Sequence, residues 1–155
     1  MNFKLRSLPA TEFTHLFKLD NSVLKKMGAV RIMVDKFPGF PCRVSLQDAE
    51  IGEEVILLSY PHHKTPSPYQ ANGPIYIRKA AQPAALEINE IPNMFSHRLL
   101  SVRGFDKNGF MQAATVTEGC NLREEIIKTF ETHEITYIHI HNAGPGCYNC
   151  MVERA

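Results

Sequence analysis

Two histidines and two cysteines lie close together near the end of the chain. His139 and His141 are separated by one residue, and a turn at residues 144–146 leads from them to Cys147 and Cys150. Neutral imidazoles and thiolates are the ligands that zinc prefers, and a thiol beside an imidazole can act as a nucleophile. This segment therefore predicts one of two chemistries, a metal site or a reactive cysteine.

The metal hypothesis depends on which side chains share a face. Side chains alternate along a strand, so a strand over 136–142 places His139 and His141 on the same face. A hairpin loop over 143–146 would bring Cys150 opposite His139, and residues directly opposite point the same way. His139, His141 and Cys150 are then candidate zinc ligands. A one-residue bulge would turn the returning strand over and remove the cysteine from that face.

The thiol hypothesis centres on Cys147, which directly follows the turn. His139 or His141 is its candidate base, Asn142 the residue that orients the base, and Cys150 a candidate resolving thiol. Redox enzymes normally place a Cys-x-x-Cys motif at the start of a helix. Residues 151–154 instead have a strand pattern, which argues against a thioredoxin-like site.

Two further interpretations are open. In one, the histidines make ordinary hydrogen bonds and the cysteines are small buried residues. In the other, the face that carries Tyr137, His139, His141 and Tyr148 is a contact surface for another protein. The leading hypothesis is a small-molecule enzyme or binding protein that uses Cys147. A zinc site and a non-catalytic interaction module are the alternatives, and whether the protein is an enzyme stays open.

A polar, proline-rich loop is predicted from Pro61 to Gly73, and it contains His62 and Tyr69. Loops of this length without internal structure are uncommon in compact domains and are often lids or binding loops. We therefore predict that this loop covers the site, with His62 and Tyr69 as candidate binding residues.

Composition limits the classes of function. A chain of 155 residues with 44% hydrophobic content is long enough for one domain with a core. Its 17 basic and 16 acidic residues are spread along the chain, which argues against a nucleic-acid surface. No apolar run approaches the roughly 18 residues needed to span a bilayer. We expect a cytoplasmic protein with reduced cysteines and a small-molecule ligand. The oligomeric state is not indicated.

The remaining signals mark short helices and a succession of strands. Asp20 can cap a helix that Gly28 ends, and Asn121 with Glu124 marks the start of another helix. Helical spacing is also present over 9–17. The predicted strands are 30–34, 42–46, 54–60, 74–78, 98–105, 110–117, 136–142 and 151–154, with 54–60 buried in the middle of a sheet.

These elements predict an α+β fold in a single domain over 1–155. Residues 1–28 form an N-terminal helical segment, and residues 30–155 form a sheet-based core. A strand, a helix and a strand in succession predict a crossover, so the sheet is expected to be mixed in direction but mainly antiparallel. One helix precedes a C-terminal β-hairpin.

Several short motifs, in order along the chain, carry a resemblance. They are Cys42-Arg43, Leu46, Asp48-Ala49, Gly52-Glu53, Gly73-Pro74-Ile75, Arg103-Gly104-Phe105, His139-Ile140-His141-Asn142-Ala143 and Gly146-Cys147. Together they resemble the bacterial family described as domain of unknown function 1203, over residues 42–155. The resemblance implies no established activity.

The resemblance does imply which residues matter. It favours His139, Asn142 and Cys147 as the shared feature. An arginine is implied more often than a histidine at the position of His141, which weighs against a metal site that needs His141. The resemblance also favours Arg43, Asp48 and Arg103 as companions of that feature. Asp48 and Arg103 could equally form a structural ion pair. The complete set of candidate binding residues is Arg43, Asp48, Arg103, His62, Tyr69 and Tyr148.

Overall fold

The computed structural model describes the whole chain, Met1–Ala155, as eight strands and two short α-helices. The strands are β1 (Phe3–Arg6), β2 (Val30–Met33), β3 (Glu54–His63), β4 (Ala71–Arg78), β5 (Leu99–Phe105), β6 (Met111–Glu118), β7 (Tyr137–Asn142) and β8 (Tyr148–Arg154). The helices are α1 (Asn21–Lys26) and α2 (Leu122–Thr129), and short 3₁₀ helices lie at Ala10–Glu12, Thr14–Lys18, Asn93–Phe95 and Gly119–Asn121. The α+β fold class is confirmed.

The strands form two antiparallel sheets. The larger has the order β1-β8-β7-β5-β6 and the smaller the order β2-β3-β4. Strands β6 and β7 are both antiparallel to β5, so they run parallel to each other, and α2 connects them. This is the strand–helix–strand relation that the sequence predicts. The predicted C-terminal hairpin is the β7–β8 pair.

Each sheet has its own hydrophobic core. One face of the larger sheet packs against α2, whose Ile126 is buried with Ile138 and Ile140 of β7. The smaller sheet packs its Ile56 and Ile77 against the N-terminal 3₁₀ segments. Burying side chains of this size contributes about 1.5–3 kcal/mol each. The other face of β7, opposite Ile138 and Ile140, is covered by β3.

The helix signals near the termini are borne out in different ways. The Asp20 side chain accepts a hydrogen bond from the backbone N–H of Val23 and caps α1, and Gly28 follows the helix with a φ of 73°. Asn121 stands at the start of α2 but makes no capping hydrogen bond. The two short helices therefore form where expected, and α2 depends on its buried stripe more than on its cap.

The predicted strand over 42–46 is wrong. The backbone N–H of Leu46 donates to the Cys42 carbonyl at 3.0 Å, which closes a turn, and Leu46 has a left-handed φ of 50°. The segment has only two isolated bridges: Pro41 to Asp48 closes around the turn itself, and Cys42 to Tyr76 reaches β4. Its apolar side chains face the cores from a turn, and this gave them the pattern of a strand.

The loop predicted from Pro61 to Gly73 is also wrong, because β3 continues to His63 and β4 begins at Ala71. The pairing of β3 with β4 shifts register between Tyr60 and His63. Proline lacks an N–H and is tolerated within a strand at such irregularities. Pro61 therefore does not end the strand, and His62 and His63 lie on β3.

The N-terminal segment contributes a strand that sequence reasoning missed. Strand β1 pairs with β8, with Phe3 opposite Arg154 and Leu5 opposite Val152. Four residues are too few for a reliable alternation signal. No helix of the protein combines the length and apolar character that crossing a bilayer requires.

Gly119 offers a test of how the segment before α2 packs. A Cβ added there would lie 1.7 Å from the Phe95 carbonyl oxygen, a backbone atom that cannot rotate away. We expect Gly119→Ala to lower the free energy of unfolding by about 2–3 kcal/mol, as overpacking does elsewhere. Urea unfolding measures this. Gly144→Ala, where nothing lies within 4 Å of the added carbon, is the control, and equal effects of the two substitutions would contradict the packing described.

Candidate functional site

Three histidines meet between the two sheets. His62 comes from β3, and His139 and His141 come from β7. One ring nitrogen from each lies within 4.8 Å of the other two. His139 is 3% exposed and His141 2% exposed, whereas His62 is half-buried. We refer to His62, His139 and His141 as the histidine cluster.

Strand alternation explains how β7 supplies two of the three rings. Ile138 and Ile140 point into the core beneath α2, so His139 and His141 point to the opposite face. Strand β3 covers that face because it extends through His62 and His63. Of the polar face that the sequence offers as a partner surface, His139, His141 and Tyr148 are buried and Tyr137 is half-buried.

The hydrogen bonds of the cluster leave ring nitrogens free. Nδ1 of His141 lies 2.8 Å from the Gly146 carbonyl oxygen, which can only accept, so this nitrogen carries the proton. Nδ1 of His62 and Nδ1 of His139 are buried without any hydrogen-bond partner. Buried polar atoms are almost always paired. We therefore expect these two nitrogens to bind a partner that the protein itself does not provide.

Aromatic neighbours hold the rings in place. The Tyr148 ring stacks on His62 with a centroid separation of 5.1 Å and an interplanar angle of 7°. His63 Nδ1 donates to the Tyr69 carbonyl at 2.7 Å, and its Nε2 lies 2.7 Å from the Tyr137 hydroxyl, which then donates to it. Tyr69 thus contacts His63 through its backbone carbonyl, and Tyr148 contacts His62 through its ring.

Burial keeps all three imidazoles neutral near pH 7. It lowers the pKa of His62 to about 4, that of His139 to about 2 and that of His141 to about 3. The hydrogen bond to Gly146 opposes this effect at His141, and the positive charge of Arg103 adds to it at all three rings. Neutral imidazole is the form that binds metals.

Cys150 does not join the cluster, which corrects the predicted ligand set. His141 pairs with Tyr148 as expected, but Ile140 pairs with Cys150, so Asn149 is an extra residue in β8. This bulge turns Cys150 to the core face, where it is fully buried, and burial raises the pKa of its thiol far above the usual range. His62 takes the place that the sequence assigned to this cysteine.

Cys147 is not a member of the histidine cluster. Its carbonyl accepts from the Asn142 backbone N–H at 2.9 Å, and the residue is half-buried. It lines a cavity of about 480 Å³ together with Arg43, Arg98 and Asn142. No hydrogen bond joins Cys147 to His139 or His141, and Nδ1 of His141 bonds the carbonyl of the preceding residue, Gly146. The positively charged group in the same cavity is a buried arginine side chain.

That cation is Arg43, which is 1% exposed. Its Nε donates to the Tyr148 carbonyl at 2.7 Å, and Nη1 donates to the Pro41 carbonyl. Burial lowers the pKa of Arg43 to about 10, and the neighbouring Cys147 thiol partly offsets this. The guanidinium is therefore still charged near pH 7.

Asp48 and Arg103, the other companions that the sequence suggested, do not pair with each other. Both carboxylate oxygens of Asp48 accept from Arg98, and His97 Nε2 lies 3.5 Å from the same carboxylate. Arg103 donates to the Ser101 hydroxyl at 3.2 Å instead. Asp48 also borders the largest cavity, of about 720 Å³, which none of the cluster histidines lines.

Sequence reasoning missed the roles of His97 and Arg98 and the cluster role of His62. His97 and Arg98 lie directly before β5, which begins at Leu99. Arg98 was only the first residue of the predicted strand 98–105, and nothing in the sequence pattern gave either residue a partner. For His62, the alternation of β3 could have been continued past Pro61, which would have placed this ring on a strand beside the C-terminal hairpin.

The depressed pKa values predict a specific pH dependence. Above pH 6.5 the rings are neutral in both folded and unfolded chains; below it, the unfolded chain takes up protons that the folded rings do not. His139 and His141 should each lower the free energy of unfolding by up to about 1.4 kcal/mol per pH unit as the pH falls from 6.5 to about 4. Urea unfolding in the presence of chelator measures this slope.

A variant tests whether the slope comes from the cluster. His139→Asn should unfold with a shallower dependence on pH than the parent protein, because one buried imidazole is gone. His133→Asn, at an exposed position, should keep the parent slope. The same slope in all three proteins would refute the assignment.

One of three comparisons with known proteins found a match. Searches of curated proteins and of solved structures found no match. A family model described as a protein of unknown function, DUF1203, matches residues 39–154. That range contains the histidine cluster, Arg43 and Cys147. The chain therefore belongs to the domain of unknown function 1203 family.

Proposed function

We propose that this protein binds a transition-metal ion of the zinc class through His62, His139 and His141. The observation that carries the proposal is the pair of buried, unpaired ring nitrogens, Nδ1 of His62 and Nδ1 of His139, within one cluster. Leaving a buried polar atom unpaired costs about 1–3 kcal/mol. A metal ion would remove that cost by accepting the lone pairs.

The chemistry of the donor set favours zinc over harder cations. Three neutral imidazoles and no carboxylate suit zinc, whereas calcium and magnesium require oxygen ligands. Nitrogens around a tetrahedral zinc ion lie about 3.4 Å apart, for bonds of about 2.0–2.1 Å. The 4.8 Å limit in the cluster therefore requires a small inward movement of the rings. Three protein ligands leave one position for water or another ligand.

The surroundings of the cluster include one contact that favours a bound metal and one charge that opposes it. The bond from His141 Nδ1 to the Gly146 carbonyl is the kind of outer contact that orients a metal-binding imidazole. Arg103 opposes a cation, because its charge reaches all three rings. An anionic ligand in the open position would offset that repulsion. The proposal applies to the residues of this chain, including His141. It does not extend to every member of the family, because the resemblance implies an arginine more often than a histidine at that position.

A metal here would link the two sheets, because its ligands come from β3 on one side and β7 on the other. Binding free energy then adds to folding free energy. Ligand at about 100 times its dissociation constant stabilises a folded protein by about 2.7 kcal/mol. The bound ion would also supply Lewis acidity at the open position.

Elemental analysis of untagged, freshly purified protein tests the proposal. We expect about one zinc ion per chain and a lower unfolding temperature after removal by chelator. His62→Ala should weaken zinc binding at least about tenfold, because one of three ligands is lost. His15→Ala, at an exposed position, is the control and should bind as the parent does.

The number of titratable thiols separates this site from one with cysteine ligands. Because the cluster contains no cysteine, chelator should not change the thiol count. Zinc-free protein that also fails to bind added zinc, or thiols unmasked by chelator, would refute the three-histidine site.

A reactive thiol at Cys147 is the second candidate function, and one observation favours it. Cys147 shares a cavity with Arg43, a buried cation that makes no ion pair with a carboxylate. A cation beside a thiol favours the thiolate, which is the nucleophile. The small-molecule enzyme or binding protein indicated by the sequence would use this cavity.

Alkylation by neutral iodoacetamide near pH 7 tests this second candidate. We expect Cys147 to react about three- to tenfold faster than Cys120, an exposed thiol without such a neighbour, and Cys147→Ser to abolish the fast phase. Peptide mass spectrometry follows each thiol separately. Equal rates at Cys147 and Cys120 would contradict it.

A further inference from the structure

Arg43 is a buried cation whose hydrogen-bonding capacity is not filled. Its Nε and Nη1 donate to backbone carbonyls, and its Nη2 makes no hydrogen bond within the protein. No carboxylate pairs with it, because the nearby Asp48 is engaged with Arg98. A guanidinium offers five N–H donors. Part of this group is therefore available to an outside acceptor.

The cavity beside Cys147 is where such an acceptor would bind. Arg43 lines it, and so does Asn142. The side-chain oxygen of Asn142 accepts from Asn149, and its side-chain Nδ2 donates to nothing. No acidic side chain lines the cavity. Its residues are Gly39, Pro41, Arg43, Tyr76, His97, Arg98, Leu99, Asn142, Gly144, Pro145 and Cys147. Two unpaired donor groups without a competing carboxylate select for an anion.

We propose that this cavity binds a small organic oxyanion, with a carboxylate or phosphate group on Arg43 and Asn142. The volume of about 480 Å³ is within the range of small-molecule sites, about 300–1,000 Å³. Tyr76, Leu99 and Pro145 provide apolar wall for the body of the ligand. No histidine of the cluster lines this cavity, and the site does not depend on a metal. It also does not require Cys147 to be unusually reactive.

The thiol at the edge of the cavity provides a probe of its charge. Iodoacetate carries a carboxylate and iodoacetamide is neutral, but both alkylate a thiolate in the same way: the S–C bond forms and iodide leaves. Dividing the iodoacetate rate by the iodoacetamide rate cancels the intrinsic reactivity of each thiol. Cys120, exposed on the same chain, is the internal control.

We expect this rate ratio to be at least about fivefold higher at Cys147 than at Cys120, because a cationic cavity concentrates an anionic reagent. Inorganic phosphate or acetate, added at constant ionic strength, should slow iodoacetate at Cys147 and leave Cys120 unchanged. Retardation by phosphate but not by acetate indicates a phosphorylated ligand, and the reverse indicates a carboxylate.

Substitution of the cation completes the experiment. Arg43→Gln should reduce the ratio at Cys147 to that of Cys120, and Arg123→Gln, at an exposed position, should leave it unchanged. The competition of phosphate or acetate with iodoacetate uses the protein without substitutions, so it tests the anion site even if Arg43→Gln does not fold. Equal ratios at the two thiols, with no effect of phosphate or acetate, would overturn the anion site. That result would leave both the iodoacetamide test of Cys147 and the zinc test unaffected.

Discussion

The arrangement of both candidate sites depends on one buried guanidinium. Arg43 has backbone hydrogen bonds to Leu8 and Tyr76 and a side-chain bond to the Tyr148 carbonyl, so it connects the N-terminal segment, β4 and β8. Desolvating a charge costs several kcal/mol, and these carbonyl contacts offset only part of it. Arg43 Nε bonds the backbone carbonyl of Tyr148, the residue whose ring stacks on His62, and Nη2 of Arg43 is left as an unpaired donor.

The positive charge has opposite effects on the two sites. Together with burial and Arg103, it disfavours protonation of the nearby His141, and a neutral ring is the form that binds a metal. The same positive field repels a metal ion, so a zinc ion here would depend on nitrogen donors and on an anion in the open position. In the cavity there is no such conflict, because an oxyanion and a guanidinium attract each other directly.

A single inserted residue decides which side chains belong to which site. Asn149 forms the bulge in β8, and without it the alternation of the hairpin would place Cys150 opposite His139. With it, the thiol enters the core beside Ile140, and Met151 instead of Cys150 stands opposite His139. The cluster is thus an all-imidazole site, which is a different donor chemistry from the mixed site that unbroken alternation predicts.

The sequence by itself determined the local elements: the cap at Asp20, the start of α2 near Asn121, the C-terminal hairpin, and the shared face of His139 and His141. Those features follow from spacing, capping and alternation over a few residues. Only the tertiary structure decided that β3 runs past Pro61 to deliver His62, that Asp48 pairs with Arg98, and that Arg43 is buried beside Cys147. These contacts join residues far apart in the chain, and the register of β3 and β8 also shifts at bulges, which a pattern over a few residues does not reveal.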